Sequence, residues 1–159
     1  MHRALVCSVA LVALGAAPLL AQDKKGGVVR EHKNPPGLST PRGYTHVVSA
    51  SGGRTVYVAG QVSLDAKGEL VGKGDLRAQA RQVFENLRLA LAGAGATFGD
   101  VVKWNTYVVN FKAEDLPVLR ESRAELLKDV TPPASTLVGV QALANPDFLI
   151  EVEAVAVVD

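Results

Sequence analysis

The chain has 159 residues, 48% hydrophobic and 21% charged, which is enough apolar material for one compact domain and its core. Its 17 basic and 16 acidic side chains nearly cancel, and no basic stripe stands out, which argues against nucleic acid as a partner because phosphate binding draws on a cationic surplus. The one cysteine is Cys7, so disulfides, thiolate nucleophiles and cysteine-rich zinc sites are excluded beyond the first few residues.

His2 and Arg3 lead an uncharged run from Ala4 to Ala21, rich in Leu, Val and Ala, and Gln22-Asp23-Lys24-Lys25 follows. That is the layout of a secretory signal peptide. Gly15 and Pro18 interrupt the run and it barely reaches bilayer-spanning length, so we expect cleavage after Ala21 rather than a membrane anchor. The mature protein is then periplasmic or secreted, with basic and acidic side chains in balance.

Residues 22–43 are polar and carry Gly26-Gly27, Pro35-Pro36-Gly37 and Pro41, a composition that predicts an extended arm or loop. The folded domain is expected over 44–159. Strand patterns at His46 to Ser51 and Thr55 to Val62 flank Gly52-Gly53-Arg54, which predicts a tight hairpin because glycine accepts positive φ. Leu64 to Glu69 reads as a turn, with Gly68 in its left-handed position. Asp75 can cap a helix whose apolar positions Leu76, Ala80, Val83, Phe84, Leu87 and Leu91 recur at spacings of three and four, ended by Gly93 and Gly95. Its other side, with Arg77, Arg81, Gln82, Glu85 and Arg88, reads as solvated surface.

Val101 to Val109 predicts a strand with Val102, Trp104, Thr106 and Val108 on one face. A second helix opens near Asp115, with Leu116, Leu119, Arg123, Leu126 and Leu127 along one side, and Pro132-Pro133 stop it. Strands at Ser135 to Leu143 and Leu149 to Val157 follow, joined across Asn145-Pro146-Asp147. This order gives an α+β fold, two helices on one face of a mixed sheet. Valine-rich strands with no third helix to cover the other face predict that further subunits bury it.

Taken together, Val56-Tyr57-Val58-Ala59-Gly60-Gln61, the stretch DLRAQARQVFENLRLALAGAGATFGDVVK, the Pro133-Ala134 pair and the closing IEVEAVAV resemble the RidA/YjgF family over roughly Gly43 to Val157. The resemblance implies a chorismate-mutase-like fold and a homotrimer with a central barrel and ligand clefts between subunits. It also implies hydrolysis, without a cofactor, of reactive imines and enamines derived from amino acids. In that pattern an arginine after Pro-Ala grips the substrate carboxylate with two hydrogen bonds. Here the matching residue is Ser135, and losing such a pair costs on the order of a hundredfold in binding.

Among the other matching positions, Glu151 corresponds to the acid that positions the attacking water, Gly60 to a glycine whose backbone lines the cleft, and Tyr44 to a cleft tyrosine. Leu137 stands where a cysteine is frequent, Arg120 where many members have asparagine, and Arg123 where they have an aromatic residue. The resemblance therefore implies a divergent imine or enamine deaminase-like protein, or a small-metabolite hydrolase or binding protein, with an anionic ligand. Two alternatives stay open: a non-catalytic trimeric binding module, and an active 2-iminobutanoate/2-iminopropanoate deaminase in which Arg120 supplies the missing cation.

The remaining chemistry-bearing residues have plainer readings. His46 is expected to pack or hydrogen-bond, His32 to face solvent, and Trp104 to belong to the core. Glu151 and Glu153 alternate with Val152 and so share one strand face. No metal site is expected from the two histidines beyond the signal segment, His32 and His46, with no clustered carboxylates, and nothing at hydrolase spacing makes Ser135 a nucleophile.

Overall fold

The structure, a computed structural model, describes residues 27–159, so the expected signal peptide lies outside the described residues. Strands β1 (Val29–Lys33) and β2 (Val47–Ser51) form an antiparallel pair of their own. The main sheet holds β3 (Arg54–Gln61), β4 (Val101–Val109), β5 (Ala134–Val140) and β6 (Ile150–Val158) in the order β3-β6-β4-β5. The β4-β5 pair is parallel and the other pairs antiparallel, which makes the sheet mixed, as expected. Helix α1 (Leu76–Gly93) packs on β3 and β6, and α2 (Asp115–Arg123) lies beside α1.

Helix α1 begins where the sequence places it. The Asp75 carboxylate accepts from the backbone N–H of Arg77 at 2.9 Å and of Ala78 at 3.1 Å, satisfying two donors that have no partner within the helix. Ala80, Val83, Phe84, Leu87 and Leu91 are buried against Val56 and Val58 of β3, Trp104 and Val108 of β4, and Ile150, Val152 and Ala154 of β6. Gln79, outside the apolar pattern, is fully buried as well. It donates to the carbonyls of Gly72 (3.2 Å) and Asp147 (2.9 Å) and accepts from the N–H of Leu149 (2.8 Å), so one amide ties the start of α1 to the start of β6. Gln82 also departs from the solvated-surface expectation, since it is half-buried and donates to the Asn86 side chain at 2.8 Å.

Four expectations are corrected. The arm contains β1, because Val29–Lys33 can place its N–H and C=O groups in a ladder with β2 despite a polar composition, and an antiparallel pair tolerates solvent on both faces. The glycine turn forms, with φ of 75° at Gly52 and 68° at Gly53, but it carries the chain between sheets rather than closing a hairpin: β2 pairs with β1 and β3 with β6. Within β4 a register shift between Val101 and Lys103 puts Val101 in the core and leaves Val102 half-buried, while Trp104, Thr106 and Val108 keep the expected face. Helix α2 ends at Arg123; Leu126 and Leu127 pack on the core from the turns that follow. Asp129, at φ 63°, redirects the chain before Pro132.

Candidate functional site

The parallel register of β4 and β5 sets Ser135 beside Trp104, and the indole Nε1–H donates to the Ser135 hydroxyl at 2.6 Å. Trp104 is 1% exposed, so this bond joins the core directly to the wall of a cavity. On the opposite side the chain entering β2 is pinned to the start of β5: the N–H of Thr45 donates to the carbonyl of Pro133 at 3.0 Å, and its hydroxyl donates to that of Pro132 at 2.5 Å. The pinning holds Arg42, Gly43 and Tyr44 across the end of α2. Gly43 needs its φ of 81°, which an L side chain rarely adopts.

Between these pieces lies a cavity of about 250 Å³ lined by Arg42, Gly43, Tyr44, Phe84, Thr106, Leu116, Leu119, Arg120, Arg123, Ser135 and Leu137. Three of the lining residues are arginines and none is acidic. Arg42 and Arg120 are exposed, whereas Arg123 is largely buried, its guanidinium carbon 4.8 Å from the centre of the Trp104 ring and 5.7 Å from that of Phe84. Burial, and secondarily the nearby charge of Arg120, pull the Arg123 pKa down to about 10. The side chain is still a cation at neutral pH.

That charge has a stability consequence. Holding the charged form in the fold at that lowered pKa costs roughly 3 kcal/mol, of which cation–π contact with Trp104 returns about 0.5–2 kcal/mol. The cost is full below the folded pKa and fades as pH rises through it. Arg123→Met, which keeps much of the packed stem, is therefore expected to raise the stability of the ligand-free protein at pH 7 by about 1–2 kcal/mol, read as a higher melting temperature.

Of the residues singled out from sequence, Tyr44, Arg120, Ser135 and Leu137 line this one cavity, and Gly60 and Glu151 do not. Glu151 is half-buried on β6, where it packs on Gly60: a Cβ added there would sit 1.7 Å from its Oε1. Glu153, two residues on, accepts from the Asn105 side chain at 2.8 Å and from the Tyr107 hydroxyl at 2.9 Å. Those two bonds hold the Glu153 carboxyl below the usual carboxylate range, and Glu153 in turn raises the Tyr107 phenol. The stabilisation from Glu153 is present above the unfolded carboxylate pKa and is lost as pH falls through the lower folded value.

Asn105 and Tyr107 alternate along β4 with Trp104 and Thr106, so Glu151 and Glu153 occupy the sheet face opposite Ser135. Within one chain, the carboxylate and the cavity are on different sides of the sheet. Sequence reasoning did not single out Arg42 or Thr106 as cavity residues. Arg123 did carry a signal, its place on the leucine side of α2. His46 bonds the Ser39 carbonyl through Nε2 at 2.7 Å and meets the Tyr44 ring edge-on at 5.1 Å, in keeping with its plainer reading. Among the described residues, no group of three His, Cys, Asp or Glu side chains could hold a metal ion, and no helix is long and apolar enough to cross a membrane.

Residues 37–158 match the protein family described as endoribonuclease L-PSP. The chain belongs to the RidA/YjgF/L-PSP family. A crystal structure of a Rid-family protein of unknown function from Yersinia pestis is 44% identical, with a TM-score of 0.77, over 81% of this chain and 98% of that one. A 2-iminobutanoate/2-iminopropanoate deaminase of Dermatophagoides farinae is 32% identical over 107 residues, 67% of this chain and 80% of its own length. TdcF of E. coli, solved with bound serine, is 28% identical with a TM-score of 0.59, covering 78% of this chain and 93% of that one. The α+β architecture, a mixed sheet with two helices, is that of the solved RidA-family structures.

Proposed function

We propose that the protein is a divergent RidA-family homotrimer that takes a small carboxylate-bearing imine or enamine into the arginine-lined cavity and hydrolyses it without a cofactor. The observation that carries this reading is a cavity of about 250 Å³ with three arginines and no acidic side chain in its wall. Such a wall favours a small anion. Relatives named as imine deaminases and one solved with bound serine point to small amino-acid-derived ligands that carry a carboxylate.

In the reaction the ligand's C=N carbon takes a hydroxyl from water, the C–N bond breaks, and ammonia leaves with the 2-oxo acid. Glu151 is the group proposed to hold that water, accept its proton and return it to the nitrogen as ammonia departs. Because Glu151 lies on the face opposite the cavity, it must reach a ligand across a subunit boundary. The open sheet face suits such packing: Tyr57 is 81% exposed and Val138 40% exposed, with Glu151, Glu153 and Tyr107 half-buried between them. Apolar side chains left on a sheet face are surface for another copy to cover.

The separation of Glu151 from the cavity favours one second reading, a trimeric module that binds a small anion without transforming it. Ammonia release from 2-aminoacrylate generated in place separates the two. The hydrolytic reading expects the protein to accelerate release over the buffer rate, and an unchanged rate would leave only binding. RNA is not proposed as a substrate, since the chain's charges balance.

A further inference from the structure

We infer that Arg123 and Ser135 together form the anion receptor of this cavity, and that its ligand is a small organic carboxylate with a compact apolar substituent. The inference deepens the preceding reading by assigning the binding groups, and it holds whether or not the ligand is hydrolysed.

Arg123 is a largely buried cation with no counter-ion among the described residues. None of the five ion pairs among the described residues includes it, and the neighbouring charge is another arginine, Arg120. Its guanidinium lies over the Trp104 and Phe84 rings, and a Cβ on Gly43 would stand 4.0 Å from its Nη2. Rings and glycine backbone fix the position of the fork without neutralising it. A buried charge left this way is costly unless something anionic completes the site.

Ser135 supplies the second donor. Its oxygen already accepts the indole N–H of Trp104, and among the described residues its own O–H has no acceptor. The side chain lines the cavity, so that proton is available to a ligand oxygen. The serine at the Pro-Ala position is thus half of a receptor whose charge comes from α2, and Trp104 joins the halves: it stacks on one and bonds to the other.

The wall chooses among anions. Leu116, Leu119, Leu137 and Phe84 are apolar, and one planar fork plus one hydroxyl match the two oxygens of a carboxylate better than the three of a phosphate monoester. Arg120 is exposed and sits at the mouth, where it raises the local anion concentration and does not anchor.

Trp104 is the only tryptophan, so its fluorescence reads the site directly. The parent is titrated with 2-oxobutanoate, and with 2-butanone as the analogue lacking the carboxylate. A saturable change with the acid alone is expected. Arg123→Gln should weaken binding at least about tenfold, Arg123→Lys less, and Ser135→Ala about threefold or more, whereas Arg120→Gln should change it by less than about threefold. Thermal melting of Arg123→Gln, expected at or above the parent's temperature, shows that weakened binding is not unfolding. The inference is overturned by parent-like titration of Arg123→Gln, by a larger loss in Arg120→Gln than in Arg123→Gln, by equal response to 2-butanone, or by no saturable response in the parent. Loss of ammonia release with intact Arg123-dependent binding would instead defeat only the hydrolytic reading.

Discussion

Replacing Trp104 by alanine is expected to cost about 3–5 kcal/mol of folding stability, the largest loss among single changes at the site. The ring is 1% exposed and meets Phe84 edge-on, with centroids 6.0 Å apart. Removing it leaves a cavity under the sheet, strips the Ser135 hydroxyl of its donor and deprives the Arg123 guanidinium of its closer aromatic face. Trp104→Phe separates the effects. It retains most of the buried area and a face for Arg123 but has no indole N–H, so it is expected to lose only about 1–2 kcal/mol. Urea unfolding of the two variants beside the parent checks both figures. Similar losses in the two would mean that the Ser135 bond, and not the packing, dominates.

The second large effect is catalytic. Glu151→Gln keeps the shape of the side chain and removes its basicity, and should lower imine hydrolysis about a hundredfold or more while leaving carboxylate binding at Arg123 unchanged. Gly60→Ala reaches the same result by a different route. The added Cβ would fall 1.7 Å from Glu151 Oε1, 2.6 Å from its Cδ and 2.9 Å from its Cγ, so the whole carboxylate must swing away while keeping its charge. A rate loss in both variants ties activity to where Glu151 sits. Full activity in Gly60→Ala would show that the position of the carboxylate does not matter.

Much of the fold was legible because local and global signals agree. Asp75 and the three-and-four spacing of Ala80, Val83, Phe84, Leu87 and Leu91 specify α1 whatever lies around it. Alternation from Trp104 to Val108 likewise marks β4, although a register shift breaks it at the strand's start. What escaped were features set by partners distant in the chain. Val29–Lys33 carries little apolar pattern and becomes a strand only because β2 lies alongside it. Gly52 and Gly53 signal a turn, but which strand lies on either side of that turn is decided by β1 and β6.

The site shows the same division. Spacing placed Arg123 on the leucine side of α2, and a cation there is an anomaly that periodicity can flag without explaining. Its explanation needs Trp104, which comes from another strand, and Ser135, which is 31 residues from Trp104 and beside it only through the parallel β4-β5 register. The opposition of Ser135 and Glu151 across the sheet also depends on register. Matching each residue to a family position suggests one cleft; the strand pairing puts the two on different faces of a single chain.

That separation makes assembly the point on which the account turns, since only another copy can carry a Glu151 carboxylate to a cavity on the helix side. Sedimentation velocity at micromolar concentration measures it most directly. A single species at three times the chain mass is expected, with no folded monomer on dilution through that range. A stably folded single chain under the same conditions would contradict it, leaving the arginine-lined cavity and the β6 carboxylates as unconnected features of one molecule.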